Sequence, residues 1–325
     1  MHQPVSRSPT KPSFRLSAFP PFRPSAFPPF RLSVFPSFHP STLPSYLPSS
    51  MPELPEVETI VRDLRPALVG RTILRAALSH DDVLRGVTRR GLLAGLRGAT
   101  VVELSRRAKH AVLELDTGRR LVIQPGMSGA LLIVDEPLSE ADAKYAVLRA
   151  PLDDDRELVY RDVRRLGTLL LLDEAGWRDY DAALGPEPLD PAFSANAFAE
   201  RLSRSRQAVK KVLMDQRYVV GVGNIYANEA LFAAGIDPSR PANRVTPEEY
   251  VDLHAEVRRI LSAAIRSKGT TFRDYRTGTG EKGNFQFELL VYGREGEPCR
   301  RCGTRLTLTH LVDGRSTVFC HRCQR

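Results

Sequence analysis

Met51-Pro52-Glu53-Leu54-Pro55-Glu56-Val57-Glu58 is the stretch at which this chain changes character. Apolar residues then recur at Val57, Ile60, Val61 and Leu64, the i, i+3, i+4, i+7 stripe that buries one face of an α-helix. Pro55 suits the first turn, where its missing N–H is no loss, and Glu56 and Glu58 suit the positive end of the helix dipole. Pro66 is expected to stop the helix. Upstream, residues 1–50 hold 12 of the 25 prolines, 7 of the 14 phenylalanines and no acid, in a loose eight-residue repeat restarting at Phe14, Phe22 and Phe30. Proline this dense removes backbone donors and fixes φ, so 1–50 reads as a disordered or polyproline-like extension. It is Arg- and Ser-rich like an organelle transit peptide, yet its prolines forbid the amphipathic helix such peptides use. The other reading is that translation begins at Met51.

Downstream of the helix come short apolar or alternating runs at 101–104, 111–115, 121–124, 130–134, 146–149, 158–161 and 168–172, separated by turn signals such as Asp116-Thr117-Gly118. Strands this short and this closely spaced suggest an antiparallel sandwich. After Gly185-Pro186-Glu187-Pro188 the pattern turns helical, with helices expected near 191–203, 206–215, 225–234 and 247–267. The last opens Thr246-Pro247-Glu248-Glu249, a capping box with proline at its first position. A glycine-rich stretch at 278–283 and two short strands, one covering 285–292, are expected before the cysteines. The fold class is thus α+β: a leading helix, an antiparallel β-sandwich, a helical domain and a terminal ribbon.

The whole chain of 325 residues carries 47 Lys+Arg against 38 Asp+Glu, net +9, which favours a polyanionic partner. Five of those cations lie in 1–50, so residues 51–325 net only +4 and any binding face must come from clustering. No apolar run approaches the roughly 18 residues of a membrane span. All four cysteines fall within the last 27 residues, which excludes a disulfide-stapled scaffold. Cys299-Arg300-Arg301-Cys302 and Cys320-His321-Arg322-Cys323 form paired CxxC knuckles with 17 residues between, the spacing of a four-thiolate zinc site. With all four positions filled by protein, one zinc ion here is structural. Arg315 falls at the turn between the ribbon's strands, where it reaches outward to a phosphate. Gly278-Thr279-Gly280-Glu281-Lys282-Gly283 matches a dinucleotide fingerprint by letter only. It lacks the preceding strand and following helix, and reads as a loop carrying Lys282.

Residues 219–229 join two helices through Gly221 and Gly223, with Lys210 on the first helix; such a turn exposes N–H groups suited to phosphate. Together with Pro52-Glu53-Leu54-Pro55-Glu56, Arg106-Arg107-Ala108-Lys109, Gly126-Met127-Ser128-Gly129 and the zinc ribbon, this motif makes the chain resemble formamidopyrimidine-DNA glycosylase over 51–325. The resemblance implies a bifunctional base-excision enzyme acting on oxidised purines, mainly 8-oxoguanine and formamidopyrimidines, in double-stranded DNA. It implies a β-sandwich catalytic domain at 51–185, a helical DNA-binding domain with a helix–two-turns–helix motif at 186–285, and a zinc ribbon at 286–325. It further implies a monomer without nucleotide cofactor or membrane, in the bacterial cytoplasm at the nucleoid.

The family nucleophile is the secondary amine of an N-terminal proline, here Pro52. Its attack on the sugar C1′ gives a cationic iminium, an electron sink that acidifies neighbouring protons for β- and then δ-elimination. A free α-amino group titrates near pH 8, and the following helix lowers that further. Inside a chain the same nitrogen is an amide, so the expectation is that 1–50 are not part of the active protein and that removal of Met51 exposes Pro52. By the same resemblance Glu53 handles protons beside the amine and Lys109 grips a phosphate at the catalytic centre. Glu56 holds the site at the helix start. Lys210, Asn224, Tyr292, Arg315 and Arg165 contact DNA. Met127, Arg164 and Leu166 fill the gap left by the flipped base, and Glu56, Glu229 and Lys282 take part in recognising that base. Leu166 replaces the family's usual phenylalanine, and Gln124-Pro125 its usual His-Leu, which bears on opposite-base discrimination rather than catalysis. Three rivals are weaker. The endonuclease VIII branch, which prefers oxidised pyrimidines, has glycine where Leu54 stands. A non-catalytic DNA-binding module does not need Pro52 and Glu53, and an RNA-binding zinc ribbon leaves the N-terminal motif unexplained.

Overall fold

The computed structural model describes residues 51–271, 278 and 281–325; the extension at 1–50 and part of the glycine-rich stretch lie outside the described residues. The first helix, α1 (Leu54–Leu68), opens with the side chains of Glu53 and Glu56 closing a capping box. It buries Val57, Ile60, Val61 and Leu64 as their spacing demands. Pro66 does not stop it. The ring costs one backbone bond near the end, but the Val69 N–H still reaches the Arg65 carbonyl at 3.1 Å, and Leu68 is fully buried beyond it.

The sandwich follows as β1 (Ala77–Leu78), α2 (Arg89–Leu96), β2 (Val101–Arg107), β3 (His110–Leu115), β4 (Arg120–Gln124), β5 (Gly129–Val134), α3 (Glu140–Ala143), β6 (Ala146–Pro151), β7 (Glu157–Asp162) and β8 (Thr168–Leu172). All seven strands expected from the sequence are present. They pair antiparallel into two sheets of order β1-β6-β7-β5 and β2-β3-β4-β8. The helical region comprises α4 (Glu174–Ala182), α5 (Ala195–Leu202), α6 (Val209–Met214), α7 (Asn224–Ala233) and α8 (Pro247–Arg266), the last opened by its Thr246/Glu249 capping box. The ribbon is the antiparallel pair β9 (Thr307–Thr309) and β10 (Thr317–Phe319), between the two cysteine knuckles. The strand expected over 285–292 is instead a 3-10 turn at Phe285–Phe287 followed by loop. Its N–H groups are drawn onto the buried carboxylate of Glu229, which accepts from Leu290, Val291 and Tyr292 at 2.8–2.9 Å. No helix of the described residues is long and apolar enough to cross a membrane.

Three cores result, and α1 spans two of them. Val57 through Leu68 pack with Leu104, Leu113, Ile123 and Leu148 inside the sandwich. Leu54, one turn earlier, packs with Val222, Ile225 and Tyr226 in the helical core. Glu53 therefore sits where the two layers meet. The third core is small: Phe232 of α7 anchors Val291, Cys299, Leu306, Val318 and Cys320 of the ribbon.

Candidate active site

The N-terminus of α1 rests on the Gly221–Gly223 turn. The Leu54 N–H donates to the Gly221 carbonyl at 3.0 Å, and a side chain at Gly221 (φ +83°) would run into Leu54. A Cβ at Gly223 would strike the Glu53 carboxylate and lie 2.5 Å from the Lys109 ammonium, so only glycine lets these three groups converge. The Glu53 carboxylate accepts the backbone N–H of Gly223 and, at 2.9 Å, that of Ile225. The positive end of α7 is thus already occupied by Glu53. This corrects the reading of the 219–229 turn as a phosphate clamp: its N–H groups serve a carboxylate of this chain.

Burial raises the Glu53 carboxyl to about 7, opposed by Lys109 and by the two N–H groups. Burial likewise lowers Lys109, with Glu53 pulling the other way and Arg315 pushing it down further. Glu56, 2% exposed, lies beneath. Its carboxylate accepts from the Glu53 N–H (2.9 Å), the Tyr226 hydroxyl (2.6 Å) and the Thr270 N–H (2.7 Å). It holds α1 to the helical layer, and its burial corrects any direct role in meeting a base.

These groups line a cleft of about 470 Å³ formed by Met51, Glu53, Lys109, Gln124, Met127, Met214, Gln216, Gly223, Asn224, Tyr292, Arg315 and Ser316. Of the expected residues the structure thus brings together Glu53, Lys109, Met127, Asn224, Tyr292 and Arg315; Pro52 is buried beside them between Met51 and Glu53. Tyr292 is 3% exposed, and burial pushes its phenol up to about 12. Asn224 donates to the carbonyl and hydroxyl of Ser316 at 3.0 and 3.2 Å, tying α7 to the ribbon turn. Arg315 is exposed on that turn. Met214, Gln216 and Ser316 were missed by the sequence. They come to the cleft through tertiary folding, and no local pattern marks them.

Two further expectations are corrected. Lys210 is fully buried: its ammonium donates to the Thr317 hydroxyl at 2.7 Å and the Ser316 carbonyl at 3.2 Å, and faces Asp313 at 3.5 Å. It fastens the turn that presents Arg315 rather than facing DNA. Glu229, 3% exposed, spends its carboxylate on the 290–292 backbone and has no access to a base. Outside the cleft, Arg165 pairs with Asp82 at 2.8 Å, and Arg164 and Leu166 are exposed on the same loop. Lys282 is exposed beside residues 279–280, which lie outside the described residues. The ligand atoms of Cys299, Cys302, Cys320 and Cys323 lie within 4.8 Å of one another, a donor set that fits one structural zinc ion.

Comparison with known proteins gives the family to which these elements correspond. Residues 51–169 match the family profile described as formamidopyrimidine-DNA glycosylase N-terminal domain, 184–276 the formamidopyrimidine-DNA glycosylase H2TH domain, and 296–325 the zinc finger found in FPG and IleRS. The formamidopyrimidine-DNA glycosylases of Thermomicrobium roseum and Stutzerimonas stutzeri are 43% and 46% identical over 292 and 274 residues, covering 84% of this chain and 98% and 99% of theirs. The crystal structure of MutM (Fpg) from Thermus thermophilus superposes with a TM-score of 0.75 at 38% identity, covering 84% of this chain and 98% of that one. A Lactococcus lactis Fpg complex with DNA containing an abasic site gives 0.76 at 34% identity, covering 84% and 99%.

Proposed function

Because the chain belongs to the formamidopyrimidine-DNA glycosylase family, whose members are bifunctional DNA glycosylases and AP lyases, we propose that it excises oxidised purines from duplex DNA through a Schiff base on Pro52 and cuts the resulting site by β,δ-elimination. The observation that carries this reading is Glu53. Its carboxyl lies next to Pro52, faces Lys109 across Gly223, and is raised to about 7 in a cleft at the layer junction. A carboxyl that is half neutral near pH 7 can donate a proton to the sugar as the ring opens and take one back later.

In the proposed sequence the Pro52 amine forms a bond to C1′ as the glycosidic bond breaks, the base leaving with the amine proton; the C1′–O4′ bond then breaks, O4′ taking a proton from Glu53, and the iminium forms. Loss of a C2′ proton from the iminium then expels the 3′ phosphate, and loss of a C4′ proton expels the 5′ phosphate. Lys109 and Arg315 hold phosphates of the damaged strand, with Asn224 and Tyr292 shaping the wall between them. Met127, Arg164 and Leu166 fill the vacated stack. The zinc ribbon supplies Arg315 and takes no part in the chemistry. The enzyme acts as a monomer in the bacterial cytoplasm, and no nucleotide cofactor enters these steps.

Borohydride trapping on a duplex with 8-oxoguanine opposite cytosine tests the proposal, comparing chains that begin at Met51 and at Met1, with peptide mass mapping of the adduct. An adduct on Pro52 in the chain begun at Met51, and none where Pro52 remains an amide, is the expected result. Tight duplex binding without any adduct, once Met51 is shown to be removed, reduces the protein to a binding module.

A further inference from the structure

The two turns that carry Met127, Arg164 and Leu166 are built as one piece. Asp162, the last residue of β7, is 1% exposed. One carboxylate oxygen accepts from the Ser128 hydroxyl at 2.6 Å and the Arg164 N–H at 3.3 Å, the other from the Tyr160 hydroxyl at 3.0 Å and the Gly167 N–H at 2.8 Å. The Ser128 oxygen also accepts the Arg164 N–H at 2.9 Å. A single buried carboxylate therefore pins both ends of the 163–167 loop and the residue that follows Met127.

The two backbones touch directly. A Cβ on Gly126 (φ +63°) would lie 2.5 Å from the Gly167 nitrogen, and one on Gly167 would collide with the Tyr160 hydroxyl and come within 2.5 Å of the Gln124 carbonyl. Above this tight base everything faces solvent: Val163, Arg164, Arg165 and Leu166 are all exposed, Leu166 at 54%.

We propose that Asp162 is a positioning residue that presents Met127, Arg164 and Leu166 as one preassembled wedge, so that no ordering of these turns is needed when the base is extruded. The proposal rests on the gap-filling reading of those three residues. Extrusion of a base from a paired stack is costly, least where the base is unpaired, so a loosened wedge slows only substrates that must be opened.

The test measures single-turnover excision of 8-oxoguanine opposite cytosine, excision of 8-oxoguanine in a one-nucleotide bulge, and borohydride trapping at a preformed abasic site. Asp162→Asn should slow the paired lesion about 10- to 100-fold while changing abasic-site trapping less than about threefold, and the bulge should restore most of the rate. Ser128→Ala, which leaves three of the four donors on Asp162, should show the same pattern at about 3- to 10-fold, and carries the test if Asp162→Asn fails to fold. Equal losses on all three substrates, or no loss on the paired one, overturn the proposal. A combined Met127→Ala, Arg164→Ala, Leu166→Ala variant separates the two ideas. If it excises the paired lesion at full rate, the gap-filling reading itself falls; if it loses the paired lesion selectively while Asp162→Asn does not, only the role of Asp162 falls.

Discussion

Burial holds the Glu53 carboxyl near 7 although Lys109 and two backbone N–H groups all favour its anion. Its protonated form therefore dominates below that pH and is lost above it. Single-turnover base excision is expected to decline as pH rises through about 7, and Glu53→Gln should remove that limb while slowing excision about 10²- to 10⁴-fold, the usual worth of a general acid or base. A flat profile in the unmodified enzyme argues against the role. Once the proline amine is free, its cation would shift the limb downward, so the position reports on the neighbour as well. Lys210 poses the opposite problem. Burial pulls it down to about 8 against the attraction of Asp313, whose side chain is only 4% exposed. Lys210→Met should cost about 3–5 kcal/mol by leaving that carboxylate only the Arg315 N–H at 3.1 Å and the more distant Arg315 guanidinium, whereas Lys210→Met with Asp313→Leu should recover most of the loss in chemical denaturation. Nothing in the local sequence separates this lysine from a surface one, which is why it reads as a phosphate contact until its burial is seen.

At the scale of elements, the β2–β3 turn that carries Lys109 is held from across the layer junction. One oxygen of Glu187 accepts from the Ala108 N–H (2.7 Å), Arg106 (3.0 Å) and Arg107 (3.1 Å), while Arg107 also donates to the Gly185 carbonyl and Arg106 to Glu58. Ala108 is thereby kept at φ +55°, a conformation alanine rarely adopts. Glu187→Gln should lower kcat for abasic-site cleavage about tenfold with little change in KM, and should add nothing in a Lys109→Ala background, as a double-mutant cycle would show. The Arg106-Arg107-Ala108-Lys109 motif was visible in the sequence, but the distant residue that aims it was not. The same division runs through the fold. The seven sandwich strands were legible because alternation with turn signals is local. The strand β1 has two residues, too few for any period, and α2 carries Gly91 and Gly95 where helix formers belong. The helix α4 buries none of its residues, so no stripe announces it. The apolar run at 285–292 looked like a strand because the sequence does not reveal that Glu229 claims its N–H groups.

At the scale of the whole molecule, the ribbon has the smallest of the three cores and is the piece whose donor set fits a metal. Its core is six buried residues, two of them cysteines, and outside the knuckles it is joined to the helical region by polar contacts, among them those of Lys210 and Asn224 with Ser316 and Thr317. The Val318 N–H bonds Asn228 at 2.8 Å, Gln324 bonds the Ile236 carbonyl at 2.9 Å, and Arg301 lies 4.6 Å over the Phe232 ring. A core that small does not offset the conformational entropy of some thirty ordered residues without the metal. Yet this piece delivers Arg315 and Ser316 to the cleft, so losing zinc should act on DNA binding first. The sandwich has its own larger core, and the chain's single tryptophan, Trp177, lies on α4 beneath Arg120 of β4, where it reports on that layer. Chelation, or Cys320→Ser, should therefore weaken duplex binding by an order of magnitude or more and flatten its salt dependence as the Arg315 contact is lost, while Trp177 emission stays as it was. Full duplex affinity in protein shown to be free of zinc would mean that the ribbon folds on its contacts with α7 alone. A shift of Trp177 emission in step with the loss of binding would mean instead that the damage passes through Lys210 and Asn224 into the layer junction, and that the zinc stabilises the catalytic cleft as well as the DNA contact.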